Sequence, residues 1–342
     1  MSGRNITVVT GGAGFIGSEL VRQLAARGDR VVVIDNLVNG KYENVADVLS
    51  DRVTLLEQDI RETTAYAALL RETSIVYHLA CLGVRHSVHS PVENHEVNAT
   101  ATLHLLRESR AAGVPKFVTV SSSEVYGTAQ WTPMNEDHPT FPCTVYGGSK
   151  LAGESYTRAF HRTYAYPTVV VRPFNTYGPR SHHEGDSGEV IPKFLLRCLA
   201  GKPLIVFGDG SQTRDFTYVS DSARGIILAG TSEAAVGRTL NLGSGREVTI
   251  VELASTVARV AGRPDAQVVH DIQRPGDVLR LGADMTRARE LLGYEVQVGL
   301  EEGLRRLLEW YRSQPVSPED LLQQEIVHNW SVAPVEAEAP AR

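Results

Sequence analysis

Cysteine is scarce in this 342-residue chain: Cys81, Cys143 and Cys198 are odd in number, far apart and in no CxxC spacing. A disulfide framework and a cysteine-built zinc site are both excluded, and a reducing compartment fits. Positive charge is not in excess either, since 34 Lys and Arg stand against 40 Asp and Glu for a formal net charge of −6. Without a basic field, nucleic acid and anionic membrane are not expected partners, while local arginine clusters remain able to hold small anions. No apolar run reaches the ~18 residues of a spanning helix, and the few residues before "ITVVT" leave no room for a signal peptide. A soluble, cytoplasmic protein is expected. No internal repeat of solenoid period is found.

What the chain does have is 42% hydrophobic residues, enough for a sizeable core, arranged in β-branched runs that alternate with helical stretches. The runs are "ITVVT" (6–10), "RVVVID" (30–35), "VTLLEQDI" (53–60), "IVYHLA" (75–80), "KFVTVSS" (116–122) and "PTVVVRP" (167–173). Apolar throughout rather than alternating, they read as strands buried on both faces. The fold class is therefore α/β: a Rossmann-like doubly wound parallel sheet over residues 1–180, with a smaller C-terminal α/β substrate lobe over 181–320. A strand near 238–243 is expected to return to the main sheet. Residues 331–342, rich in Ala, Pro and Glu, read as a disordered tail.

Between the first strand and its helix, "VVTGGAGFIGSELVRQL" places Gly11, Gly14 and Gly17 in a GxxGxxG turn. Glycines there let the backbone approach a pyrophosphate, and the helix N-terminus adds N–H donors. Asp35 closes the second strand, where a carboxylate accepts from ribose hydroxyls and repels a 2′-phosphate, favouring NAD over NADP. Asp59 and Ile60, closing the third run, are candidates for the adenine end.

In "VYGGSKLAGE" Tyr146 precedes Lys150 by one helical turn, so both lie on one helix face. An ammonium beside a phenol is expected to lower the phenol's pKa toward neutrality and make it a base. The fifth strand ends in "SSSEVYG", placing Ser122, Ser123 and Glu124 at the carboxyl edge of the sheet, where ligands of open α/β folds bind. In "CLGVRHSVHSPVENHEVNA", Arg85 is a candidate for a substrate substituent. His86, His89 and His95 read as a solvated helix start, and no metal is expected.

With these motifs in order, followed by "RPFNTYGPR", "GDGSQTRDFTYVSD", "NLGSG" and "RPGDV", the chain from about residue 5 to about 312 resembles the extended short-chain dehydrogenase/reductases that modify nucleotide sugars, the NAD-dependent epimerase/dehydratase family. The resemblance implies NAD held by "GGAGFIG" (Gly11, Gly14, Phe15, Ile16, Gly17), "DN" (Asp35, Asn36), "DI" (Asp59, Ile60) and "LA" (Leu79, Ala80), with Tyr146 and Lys150 completing the site. It further implies that the sugar is transiently oxidised at C4, Tyr146 taking the hydroxyl proton, Lys150 holding the nicotinamide ribose and Ser122 steadying the C4 oxygen. Asn175, Arg214 and Arg274 match positions that contact the substrate diphosphate, with Arg180 a further candidate; guanidinium forks suit phosphate oxygens. Pairing of Arg214 with Asp215 or Asp221, and of Arg274 with Asp277, is the alternative for those two. A homodimer built on the long helices beside the YxxxK helix is implied as well.

The reaction turns on Glu124. Plain 4-epimerases resembling this chain usually lack a carboxylate there, whereas 4,6-dehydratases and uronate decarboxylases usually carry one. Many dehydratases, however, have Asp at the position of Ser123, and decarboxylases usually carry Arg where this chain has Cys143. Dehydratase-type chemistry with C5 proton removal therefore ranks first, 4-epimerisation second and decarboxylation third. A non-catalytic NAD-sensing protein is the contrasting class, and such proteins commonly lose the Tyr/Lys pair that this chain keeps.

Overall fold

The computed structural model of the chain describes residues 4–185, 187–274 and 277–330; the expected tail at 331–342 lies outside them. In chain order the strands are β1 (Ile6–Thr10), β2 (Arg30–Asp35), β3 (Val53–Glu57), β4 (Thr73–His78), β5 (Lys116–Val120), β6 (Thr168–Pro173), β7 (Asn175–Tyr177), β8 (Leu204–Phe207), β9 (Thr213–Tyr218), β10 (Thr239–Leu242), β11 (Glu247–Thr249) and β12 (Val268–Asp271). The helices are α1 (Phe15–Ala26), α2 (Thr63–Leu70), α3 (Val84–His89), α4 (Pro91–His95), α5 (Ala101–Ala111), α6 (Val145–Tyr164), α7 (Val190–Leu199), α8 (Val219–Thr231), α9 (Ile250–Val260), α10 (Thr286–Leu292), α11 (Leu300–Arg312) and α12 (Pro318–Leu322).

Seven strands form one parallel sheet in the order β10-β6-β5-β4-β1-β2-β3. Its strands are apolar throughout because each face has its own cover. Val9 packs with Leu20 and Leu24 of α1 and Ile226 of α8 on one side, while its neighbour Val8 packs with Leu70 of α2 and Leu105 of α5 on the other. Residues 239–242 lie beside β6, with Leu240 opposite Val171. The winding reverses between β4 and β1, and their carboxyl ends open the crevice where ligands of such sheets bind.

Two strands end earlier than their apolar runs do. β3 stops at Glu57 and β4 at His78, so Asp59–Ile60 and Leu79–Ala80 leave the sheet and turn over its carboxyl edge. The remaining strands pair as β11-β9-β7 and β12-β8. With α7, α9 and α11 they enclose a separate core that includes Phe194, Leu195, Leu253 and Leu307. Among the described residues no helix is long and apolar enough to cross a membrane.

Candidate active site

A cleft of about 600 Å³ runs over the carboxyl edge of the main sheet and into the second core. One end is made of backbone. Gly11 has φ +69° and sits so close to Ala80 that a Cβ there would lie 2.6 Å from its backbone nitrogen; at Gly17 a Cβ would lie 2.1 Å from the Gly11 carbonyl oxygen. No other residue fits either place. Gly14 caps α1 without a side-chain hydrogen bond, and no acidic residue occupies the first turn, so the helix end keeps its free N–H groups for an anion. Asp35 is anchored at the end of β2 by N–H donors from Ala13 and Leu37, both at 2.9 Å. Burial raises its pKa and those two bonds oppose the rise. Asn36 donates to Asp59 at 3.1 Å, tying two loops that line the same end. These residues fit the pyrophosphate and ribose of a dinucleotide.

At the centre, the Thr144 hydroxyl caps α6 by accepting from the Gly147 N–H at 3.0 Å. Gly147 lies against the turn after β5; a Cβ there would stand 2.8 Å from the Glu124 carbonyl oxygen. This close approach brings Tyr146 over Ser122 and Glu124, which line the cleft with it. The Lys150 ammonium donates to the Val120 carbonyl at 2.6 Å, locking α6 to the end of β5. The expected shift of the phenol toward neutrality is not found: burial holds Tyr146 well above its ordinary pKa, Cys81 adds to the rise, and a hydrogen bond with Ser122 acts against it. Loss of solvent is the largest influence on the phenol in this cleft. Glu124 is likewise raised, chiefly by burial, with Arg214 and Arg85 the leading opposing charges.

Ser123 is buried and does not line the cleft, whereas Ser121, Ser122 and Glu124 around it do. Arg180 is a second correction. Its guanidinium reaches the buried Ser18 at 2.9 Å and Glu19 at 2.7 Å on α1 and is absent from the cleft lining.

The far end is made of long side chains. Arg214 is held by Asp277 at 2.6 Å and by the Val278 carbonyl at 2.6 Å; Asp215 instead binds Ser244, Gly245 and Ala283, and Asp221 pairs with Arg224. The Asp277 N–H donates to the Arg274 carbonyl at 3.3 Å while its carboxylate pairs with Arg214, and the Arg274 guanidinium lies over the Phe207 and Trp330 rings, 5.3 and 5.2 Å from their centroids. Its pKa falls to about 10, first through burial and then through Arg85. Asn175 lines the cleft with its side-chain oxygen buried and without a hydrogen-bond partner.

Sequence reasoning missed Cys81, Glu189, Lys193, Arg197, Phe207 and Gln212 here. Burial pushes Glu189 up to about 7 and Lys193 down to about 8. Only the polar interruptions "K" and "R" in the otherwise apolar "VIPKFLLRCLAG" signalled two of them. Of the three histidines, His86 lies 3.2 Å from Glu93, and among the described residues no group of His, Cys, Asp and Glu is placed to hold a metal.

A family model described as GDP-mannose 4,6 dehydratase matches residues 8–307. The chain belongs to the extended short-chain dehydrogenase/reductases of the nucleotide-sugar epimerase/dehydratase group. Members similar to it have different activities. It is 38% identical to UDP-glucose 4-epimerase of Mycolicibacterium smegmatis over 90% of this chain and 98% of that one, and 35% identical to UDP-glucuronic acid decarboxylase 1 of Arabidopsis thaliana over 92% and 71%. Its structure is similar to that of the dTDP-glucose 4,6-dehydratase DesIV of Streptomyces venezuelae with NAD and TYD bound, with TM-score 0.84, 34% identity, and coverage of 90% of this chain and 97% of that one. Within this family of enzymes, the epimerase, dehydratase and decarboxylase activities are what the cleft's centre must distinguish.

Proposed function

We propose that the protein is an NAD-dependent nucleotide-sugar enzyme of the dehydratase type, removing the C5 proton and the C6 hydroxyl of a UDP-, dTDP- or GDP-hexose. The observation that carries this is the carboxyl of Glu124 lining the cleft beside Ser122 and Tyr146, with burial raising its pKa. The cofactor is NAD, and Gly11, Gly14, Gly17 and Asp35 would hold it. Bound NAD supplies a cationic ring and the acceptor for the hydrogen that leaves C4.

A cation in the cleft opposes the burial that raises Tyr146, so the phenol becomes able to take the proton of the C4 hydroxyl. Ser122 hydrogen-bonds the same oxygen. With C4 a ketone, the C5 proton is acidic, and Glu124 accepts it. The proton then passes from Glu124 to the C6 hydroxyl, which departs as water. C6 of the resulting 4-keto-5,6-ene would take back the hydrogen removed from C4 while C5 takes a solvent-exchanged proton from Glu124, so the product is a 4-keto-6-deoxy sugar and the cofactor ends as oxidised as it began. A carboxyl poised above its ordinary pKa suits both halves of that transfer. Arg214, Arg274 and Asn175 would hold the diphosphate, and Arg85 faces the sugar end. We further assign cofactor holding to residues 1–180 and substrate holding mainly to 181–320. The protein is assigned to the cytoplasm as a homodimer built on α5 and α6, for which light scattering is the check.

The test is the mass and isotope content of the product after incubation in heavy water. Loss of water with exchange at C5 supports the dehydratase. No mass change and no exchange at C5 would instead establish the 4-epimerase, which the likeness to the Mycolicibacterium enzyme favours, and loss of carbon dioxide the decarboxylase. Glu124→Gln is expected to abolish the exchange while Tyr146-dependent oxidation at C4 persists.

A further inference from the structure

The family match ends at residue 307, yet the chain continues through α12 and returns to the cleft. Glu325 and Val327 line it. Along this return the segment is fixed at each step to residues of the substrate end. The Gly185 N–H donates to the Gln324 carbonyl at 2.7 Å, joining the segment to the loop that supplies Gly188 and Glu189 to the cleft. Glu325 takes the Arg197 guanidinium on both oxygens, at 3.1 and 2.7 Å. The Lys193 ammonium donates to the Ile326 carbonyl at 2.8 Å. Trp330 lies beneath the Arg274 guanidinium and meets Phe207 edge-on at 4.7 Å. His328 reaches Asp271 at 2.9 Å and closes the outside of the same wall.

Three cations of the far end thus take their positions from residues 325–330. A ligand with its reacting carbon at Tyr146 and its diphosphate at Arg214 and Arg274 must extend its nucleoside toward Phe207, Gln212, Glu325 and Val327, because the opposite end is filled by the dinucleotide cradle. From this arrangement, and resting on the proposed function, we infer that Gln323–Trp330 is a strap forming the nucleoside wall of the substrate site and aligning Arg197, Lys193 and Arg274 for a nucleoside diphosphate.

Hydrogen exchange on the intact protein tests the strap without mutation. Adding UDP, dTDP or GDP, whichever binds, should slow exchange in residues 323–330, and NAD alone should not. Unchanged exchange at saturating nucleoside diphosphate overturns the inference. Val327→Trp, which fills the wall from within, should weaken the bound nucleoside diphosphate at least about tenfold, and Trp330→Ala, which removes one face from Arg274, several-fold. Both should retain NAD as wild type does, which shows that they fold. Affinities within twofold of wild type in both variants would sink the strap. If wild type binds none of the three nucleoside diphosphates, the nucleotide-sugar reading itself falls and takes the strap with it.

Discussion

The two ends of the cleft are built from different materials. At the dinucleotide end the contacts are backbone: three glycines, the N-terminus of α1, and a carboxylate pinned by the N–H groups of Ala13 and Leu37. At the substrate end they are long cationic side chains from α7, β9 and the segment after β12, each steadied by a partner remote in sequence, such as Arg197 by Glu325 and Arg214 by Asp277. A backbone cradle tolerates no added atom but needs little support. A cluster of cations needs its supports, because close like charges repel and burial penalises each one. Family members can therefore share the first end while the second diverges with the substrate.

The junction between the ends gives the largest expected effect. Tyr146→Phe removes the proposed acceptor of the C4 proton and leaves both binding ends intact, so kcat should fall about 10²- to 10⁴-fold while NAD still copurifies. Loss of bound NAD in that variant would show that the two ends are not separable. Gly17→Ala attacks the backbone end alone. Its Cβ would stand 2.1 Å from the Gly11 carbonyl, so NAD retention should drop by about two orders of magnitude, whereas titration with nucleoside diphosphate should stay within severalfold of wild type.

Arg214→Gln attacks the other end. It removes charged hydrogen bonds and leaves Asp277 unpaired, and KM for the nucleotide sugar should rise roughly 10- to 100-fold with NAD content unchanged. Lysine at the same position should restore only part, since it lacks the planar fork.

The smallest effect concerns the bridge between the ends. Glu184 pairs with Lys41, which follows β2, at 2.7 Å. Burial alone would raise Glu184, but His182 and Lys41 outweigh it and hold the carboxyl well below its ordinary 4.5. A pKa depressed by folding stabilises above the unfolded value and loses that stabilisation as pH falls below it. Glu184→Gln should therefore lower Tm by about 1 °C near neutrality, and the difference should shrink as pH drops below about 4.5. A difference that grows on acidification would contradict the assignment.

Legibility followed the same division. The strand runs, the glycine turn, Asp35 and the YxxxK pair stood out because each is a local pattern with one physical reading. Asp59–Ile60 and Leu79–Ala80 were expected at strand ends placed two or three residues too late, since neither "QDI" nor "LA" carries a turn signal that marks where the strand stops. Ser123 and Arg180 were misplaced because spacing does not reveal which side of a turn a residue faces, or that Arg180 is drawn off by Glu19. Lys193, Arg197 and Glu325 stayed hidden inside amphipathic stretches that look like ordinary helix and tail.

The sequence by itself determined the α/β class, the dinucleotide cradle and the residues available for proton transfer, because hydrophobic periodicity and glycine geometry act over a few neighbouring positions. Only the tertiary structure decided the burial that raises the pKa of Tyr146 and Glu124, the partner of each arginine, and the return of residues 323–330 to the cleft. Those depend on burial and on charges brought together from separate segments, and no local pattern encodes either.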